Sequence, residues 1–261
     1  MARPSRLRKN ERRYGRRRKD RDLIKSVEEV FDSFTLGHMR RLEWRGVIWE
    51  LKGVISSGKE ARVYWARSRN GEDLAVKIYL SATAEFRHGI RKYILGDPRF
   101  ENIPKNNFRK LIYEWTRKEF RNLKRMYRAG VRVPKPIAFS GNVLVMDFIG
   151  EKGYRAPLLI EVVDELDNKE IEDIYKEIAY QLQKIVCGAR LVHADLSEFN
   201  IMVWKGVPWI IDVSQAVEHT HPLAGEFLER DIANLTRFFS RYTDLDLADE
   251  MEAVRGCLLH E

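Results

Sequence analysis

Apolar positions recur along this chain with two different periods, and the shorter one comes first. From Ile48 onward they alternate: Val63 and Trp65 point one way and Tyr64 the other, and the run Leu74, Ala75, Val76, Lys77, Ile78 continues the pattern. Alternation of this kind predicts strands with one face on a core. Asn70 and Gly71 stand between the two runs and signal a hairpin, because both residues tolerate the positive φ of a tight turn. A second hairpin is predicted from 137–139 and 143–149 across Ser140, Gly141 and Asn142. The longer period then takes over. Ile112, Trp115, Glu119 and Leu123 share one stripe of a helix over about 108–128, ended by Gly130. Ile171, Ile174, Ile178, Leu182 and Ile185 mark another over about 169–187, and two more are predicted near 224–240 and 246–259. Short strands surround 190–212, residues 150–153 read as a joint, and residues 81–107, charged and without period, read as a long mobile loop. Ahead of the sheet, Ser26 and Glu29 spell a capping box for a short helix with Val27, Val30, Phe31 and Phe34 on one face, and a second helix is expected over about 35–44. Sheet-rich followed by helix-rich is the signature of a mixed α+β fold.

Composition changes this picture little, but charge adds to it. The 261 residues are 44% apolar, enough for one large domain or two lobes. No apolar run of about 18 residues is present, so no membrane span is expected. The N-terminus begins charged and lacks the apolar region of a secretory signal. Cys187 and Cys257 have no metal-binding spacing, and a reducing compartment fits them best, so a soluble cytoplasmic protein is expected. The formal net charge of +8 sits entirely in residues 1–22, where eleven Lys and Arg face three acidic residues. A tail of that composition is expected to be disordered when free and to order on RNA or DNA phosphates; the plainer reading is a solvated tail. The two small helices at 23–47 are read as packing on the following domain rather than as a helix-turn-helix reader.

Candidate chemistry lies in separated stretches. Residues 53–60 nearly match a Walker loop, but Glu60 stands where the hydroxyl should be, and the segment leads into a strand rather than a helix. It is therefore read as the tight turn of a hairpin, with Ser56, Ser57, Gly58 and Lys59 laid over phosphates as a lid. Lys77, in mid-strand, and Glu119, on an apolar helix stripe, each need a partner when buried. A strand lysine held by a helix glutamate is the device that positions ATP phosphates in kinases. Asp195 and Asn200 are five apart in a loop between an apolar lead-in and a strand, and Asp212 ends an apolar strand. A turn at Lys205 and Gly206 brings Asn200 and Asp212 to one end of a hairpin, where hard oxygen ligands can share Mg²⁺. His193 is read as a loop-fixing residue, and His219 and His221 as structural or surface histidines. Each piece alone is common; the order of all of them is specific.

Those residues resemble the RIO family of atypical protein kinases, its first subfamily in particular, in the stretches 55–61, 74–79, 118–123, 143–150, 192–201 and 211–216. The resemblance spans about residues 23–240. It implies a two-lobed, protein-kinase-like fold with a sheet-rich N-lobe over 48–149, a reduced helical C-lobe over 150–261, and ATP bound between them. It implies Lys77 on the phosphates with Glu119 behind it, Asp195 as catalytic base, and Asn200 and Asp212 on Mg²⁺, or Mn²⁺ in its place. Adenine would meet backbone groups near Asp147 and Ile149, with Met146 at the back of the pocket. Family members can pass the phosphoryl group to the metal-binding aspartate, here Asp212, and act in maturation of the small ribosomal subunit, so precursor rRNA and ribosomal proteins are implied partners, with rRNA on the basic tail. Departures from ordinary kinases are plain: His193, Ala194, Asp195 replace His-Arg-Asp, Asp212, Val213, Ser214 replace Asp-Phe-Gly, and no Ala-Pro-Glu follows. Residues 82–139 contain no serine, so the autophosphorylation site of other members is not carried over. No long charged C-terminal extension is seen and only three glutamines occur, which suggests an archaeal, thermophilic source. Two rival readings are a small-molecule phosphotransferase of the aminoglycoside or choline kinase type, and a non-catalytic RNA-binding assembly factor.

Overall fold

The computed structural model describes residues 32–80, 84–94, 96–97, 100, 103 and 107–259. The basic tail and the helix expected after Ser26 lie outside these residues. The chain divides into two compact units, residues 1–120 with 135–155 and residues 121–134 with 156–261.

The first unit is built on a five-stranded antiparallel sheet of β1 (Glu50–Ser57), β2 (Ala61–Arg67), β3 (Asp73–Tyr79), β4 (Pro136–Ser140) and β5 (Val143–Asp147), in the order β1-β2-β3-β5-β4. One face carries Tyr64, Ala66, Val76, Ile78, Val143 and Val145 into a core that helix α1 (Ser33–Trp44) closes with Met39 and Leu42. Asp32 caps α1 by accepting from the Thr35 N–H at 2.7 Å. The helix is also tied down by polar contacts. Asn142 donates to Thr35 Oγ1 and to the Tyr79 carbonyl, and His38 bridges Ser140 and Tyr113 at 2.9 Å each. Gly141, at φ 54, must be glycine, since a Cβ there would lie 2.2 Å from the His38 ring. This second helix therefore packs on the sheet of its own unit.

Three expectations need correction here. The segment 53–60 is mostly strand: β1 runs through Gly53 to Ser57 with two register shifts, and the turn is only Gly58, Lys59 and Glu60, closed by Gly58 N–H on the Ala61 carbonyl. The extended backbone could continue because β2 supplies partners on one side. Within 81–107 stands a helix, α2 (Ala84–Ile94), whose buried Ile90 and Tyr93 turn inward; Tyr93 and Phe100 lie 6.5 and 6.4 Å from the Trp115 ring. The joint at 150–153 is a small hairpin of β6 (Gly150–Glu151) and β7 (Tyr154–Arg155), with Gly153 pressed on the Trp65 ring.

Helix α3 (Phe108–Arg128) supplies residues to both units, and Gly130 at φ 76 follows its end. The second unit continues with α4 (Leu159–Val162), a 3₁₀ turn (Val163–Glu165) and α5 (Asn168–Gln183), whose capping box pairs Asp167 and Glu170. A π-turn (Lys184–Gly188) leads to β8 (Leu191–Val192), the hairpin of β9 (Ile201–Trp204) and β10 (Val207–Ile210), and β11 (Val217–Glu218). Lys205 and Gly206, at φ 55 and 78, form the two-residue turn expected of them. Helices α6 (Ala224–Phe239) and α7 (Ala248–Leu259) finish the unit, with Phe239 stacked on Tyr175 of α5 at 4.2 Å. No helix among the described residues is long and apolar enough to cross a membrane.

Cys187 and Cys257, read as marks of a reducing compartment, are joined in a disulfide that ties the π-turn to α7 across 70 residues. Sequence spacing gives no sign of such a pairing. Closing a loop of this size restricts the unfolded chain, so Cys187→Ser/Cys257→Ser is expected to lower stability by about 2–4 kcal/mol. Denaturant midpoints measured with and without reductant check this; a wild-type midpoint indifferent to reductant would remove the disulfide from the account.

Candidate active site

A lysine amine buried in a strand must be neutralised locally or it unfolds the strand around it. Val63, Lys77 and Leu144 lie across from one another on β2, β3 and β5, and Lys77 is 6% exposed. Its Nζ donates to Glu119 Oε1 at 2.7 Å, and the Tyr79 hydroxyl donates to the other carboxylate oxygen. Glu119 is 1% exposed, so the pair is enclosed. The structure thus brings together the two charged residues that the sequence left in need of partners. Ala75 and Met146 are paired in register two residues further along the same strands, on the same face as Lys77. Met146 is half-buried, while Ile149 is 8% exposed. The Asp147 N–H already donates to the Lys135 carbonyl at 2.9 Å, so that amide is not available to a base; burial raises the Asp147 carboxyl above its usual range. Ser56 and Ser57, at the end of β1, and Gly58 and Lys59, in the turn, are all exposed.

The second unit holds the other candidates. Asn200 Nδ2 donates to the Asp195 carbonyl at 2.8 Å and to its Oδ2 at 3.3 Å, which orients both side chains. The Asn200 carbonyl accepts from Ile211 N–H at 3.0 Å, so the hairpin sets Asn200 beside the residue that precedes Asp212. His193 is fully buried and its Nε2 lies 3.3 Å from the Ile211 carbonyl, joining the same two segments. Asp212 is exposed, and its Oδ1 accepts from Ser214 Oγ at 2.8 Å. His221 Nδ1 accepts from Leu223 N–H, and His219 meets Arg190, so both are structural.

Four described non-glycine residues of this unit sit in the left-handed region, and two of them form or flank the candidate site: Ala194 at φ 67 and Asp212 at φ 55. Such backbones cost about 1–3 kcal/mol and persist only when neighbours hold them. Two residues that sequence pattern alone does not single out, Asp231 and Asn122, do the holding together with Arg230. Asp231, on α6, is fully buried and accepts from Ala194 N–H at 2.7 Å and Leu196 N–H at 2.8 Å, the amides flanking Asp195. Arg230 donates to the Ala194 carbonyl. Asn122, on α3, donates to the Val213 and Ala216 carbonyls at 3.0 and 2.9 Å and so pins the segment after Asp212. Asp231 stands among Phe227, Leu228, Ile232 and Leu235, and Asn122 beside Leu123, so each is a polar group on an apolar stripe, the same signal that exposed Glu119.

Burial pushes the Asp231 carboxyl up to about 7; the Leu196 and Ala194 amides and Arg230 oppose this, and Asp195 adds to it. A carboxyl whose pKa rises on folding holds its proton more tightly in the native state. Its contribution to stability is complete below the unfolded value of 3.8 and is lost as pH climbs through about 7. Asp231→Asn carries no titrating proton and is expected to flatten the fall in denaturant midpoint over that window. An unchanged pH profile in the variant would assign the titration elsewhere.

The donor set suits Mg²⁺, a hard cation usually held by one or two carboxylates together with substrate phosphates. Because Asn200 spends its amide nitrogen on Asp195, its oxygen is the atom left for a metal, and Asp212 adds an exposed carboxylate. Among the described residues no group of three or more His, Cys, Asp or Glu forms a closed metal cage.

A model of the RIO domain matches residues 62–251. The chain is 43% identical over 226 residues to the human serine/threonine-protein kinase RIO1, covering 86% of this chain and 39% of that protein. It is 45% identical over 241 residues to the RIO-type serine/threonine-protein kinase Rio1 of Haloferax volcanii, covering 92% of this chain and 81% of the relative. Among solved structures, the Rio2 kinase–ADP/Mg²⁺–phosphoaspartate complex from Chaetomium thermophilum shares its fold, with a TM-score of 0.66 at 21% identity over 88% of this chain and 71% of that one. Since the domain match runs over most of the chain and the archaeal relative is covered over most of its own length, the chain belongs to the RIO family, with the Rio1 members.

Proposed function

We propose that this protein is an ATP- and Mg²⁺-dependent atypical serine/threonine protein kinase and ATPase. The bonding of Asn200 to Asp195 and to the strand residue before Asp212 carries this reading, since it gathers a base and two oxygen ligands in one loop system. Lys77, fixed by Glu119, would position the triphosphate, and Ser56 and Ser57 at the end of β1, with Gly58 and Lys59 of the turn, would cover it. Asp195 would orient the acceptor hydroxyl or water and accept its proton. Asn200 and Asp212 would hold Mg²⁺, which neutralises charge on the phosphate oxygens. Positioning and electrostatics would supply most of the rate.

The finer reading is that the phosphoryl group passes through Asp212 and that the protein acts in small-subunit maturation, with residues 1–22 on rRNA. The exposure of the Asp212 carboxylate supports the first part, as does the phosphoaspartate of the Rio2 kinase complex from Chaetomium thermophilum, which shares the fold. Incubation with γ-labelled ATP and purified small-subunit precursor tests both. Label released by hydroxylamine is expected from an acyl phosphate on Asp212. Label that resists hydroxylamine and maps to a serine would replace that intermediate with direct transfer, and turnover indifferent to the precursor would remove the ribosomal role.

A further inference from the structure

Helix α3 presents Arg121, Lys124, Arg125 and Arg128 along its last two turns, and these four cations line a cavity of about 440 Å³ floored by Ala129 and Gly188. None of them belongs to the candidate active site. Residues three and four apart on a helix are surface neighbours, so the four side chains form one stripe. Arg125 is engaged, bound to Glu218 at 3.2 Å and to the Arg190 carbonyl at 3.3 Å. Arg121, Lys124 and Arg128 are exposed and form no ion pair among the described residues. Like charges this close repel, and the last turn of a helix offers partial negative charge to only a few of them. The arrangement therefore suits an anion.

We propose that this cavity binds the phosphodiester backbone of single-stranded RNA. Its lining has cations and a small, flat floor but no neutral donor or acceptor side chain that could read a base edge, which is the composition of a backbone contact. Three guanidiniums suit phosphate forks better than isolated point charges would. The choice of RNA over an acidic peptide or a free polyphosphate rests on Tyr127. It is 47% exposed, three residues from Lys124 on the neighbouring stripe, where its ring offers a base a face to stack on. This extends the RNA contact proposed for the tail to a second, folded surface and does not depend on ATP turnover.

The test measures binding of the full chain to a single-stranded RNA 20-mer against salt concentration. Arg121→Ala/Lys124→Ala/Arg128→Ala is expected to lower the slope of log K on log salt by about 2, at roughly 0.7 per phosphate contact. Arg121→Lys/Arg128→Lys should keep the slope. Tyr127→Ala should weaken RNA by about fivefold or more and leave polyphosphate binding unchanged. Made in a chain whose Arg16, Arg17, Arg18 and Lys19 are replaced by alanine, the triple substitution is expected to lower the slope by the same amount, which separates this surface from the tail; made in Asp212→Asn it should do so again, which separates it from catalysis. On the wild-type chain, photocrosslinks to thiouridine RNA should map to residues 121–129. An unchanged slope in the triple variant, or crosslinks confined to residues 1–22, overturns the site. Polyphosphate binding as tight as RNA, with Tyr127→Ala having no effect on either, overturns RNA as the occupant.

Discussion

Asp212→Asn is expected to lower ATP turnover by roughly 10²–10³-fold or more while leaving the denaturant midpoint close to wild type. The exposed carboxylate contributes little to packing, so its loss should appear in the chemistry. Asparagine is the informative replacement because it tolerates the left-handed backbone that Asp212 adopts at φ 55. It can also still accept from Ser214, which donates to Oδ1 at 2.8 Å. Alanine would mix a catalytic loss with backbone strain. Single-turnover hydrolysis with Mg²⁺ in excess measures the effect. If the asparagine variant turned over ATP at the wild-type rate, neither the metal role nor the phosphoryl-acceptor role of Asp212 could stand.

The second large effect concerns Lys77 and Glu119, and it should divide between stability and activity. Each is almost completely buried, with side chains 8% and 2% exposed, so removing either leaves a charge without its counter-ion in a low dielectric. Lys77→Met or Glu119→Leu alone is expected to destabilise by about 3–5 kcal/mol. The glutamate variant also deprives the Tyr79 hydroxyl of its acceptor. The double variant removes both charges and should recover most of the lost stability, since apolar side chains of similar volume often replace a buried ion pair without penalty. ATP turnover should stay low in all three. Urea denaturation beside steady-state hydrolysis separates these outcomes. A double variant with restored turnover would show that the pair only holds the sheet to α3.

The candidate chemistry was legible because burial makes polar residues conspicuous. Lys77 and Glu119 stood out as charges on apolar faces, and the structure pairs them at 2.7 Å. The Lys205–Gly206 turn was legible for a different reason: two consecutive left-handed residues leave few sequence choices. Asp231 and Asn122 carry the same burial signal, but nothing local shows that their partners are backbone amides and carbonyls. The backbone of Ala194, Leu196, Val213 and Ala216 looks alike in any sequence. The helix Ala84–Ile94 is not legible in the sequence because its charged, glycine-interrupted segment has weak local preference; burial of Ile90 and Tyr93 outweighs that.

By itself the sequence determined the mixed α+β plan, the strand and helix periods, and the order of the residues proposed for catalysis. These follow from local geometry: side chains repeat every two or 3.6 positions, and each burial choice is written into the residue type. Only the tertiary structure decided that Cys187 meets Cys257, that Asp231 grips the amides around Asp195, and that four cations of α3 line one cavity. Those are contacts between elements distant along the chain. They depend on how helices and loops are seated against one another, and hydrophobic burial fixes that seating without leaving a local trace in the residues that come to touch.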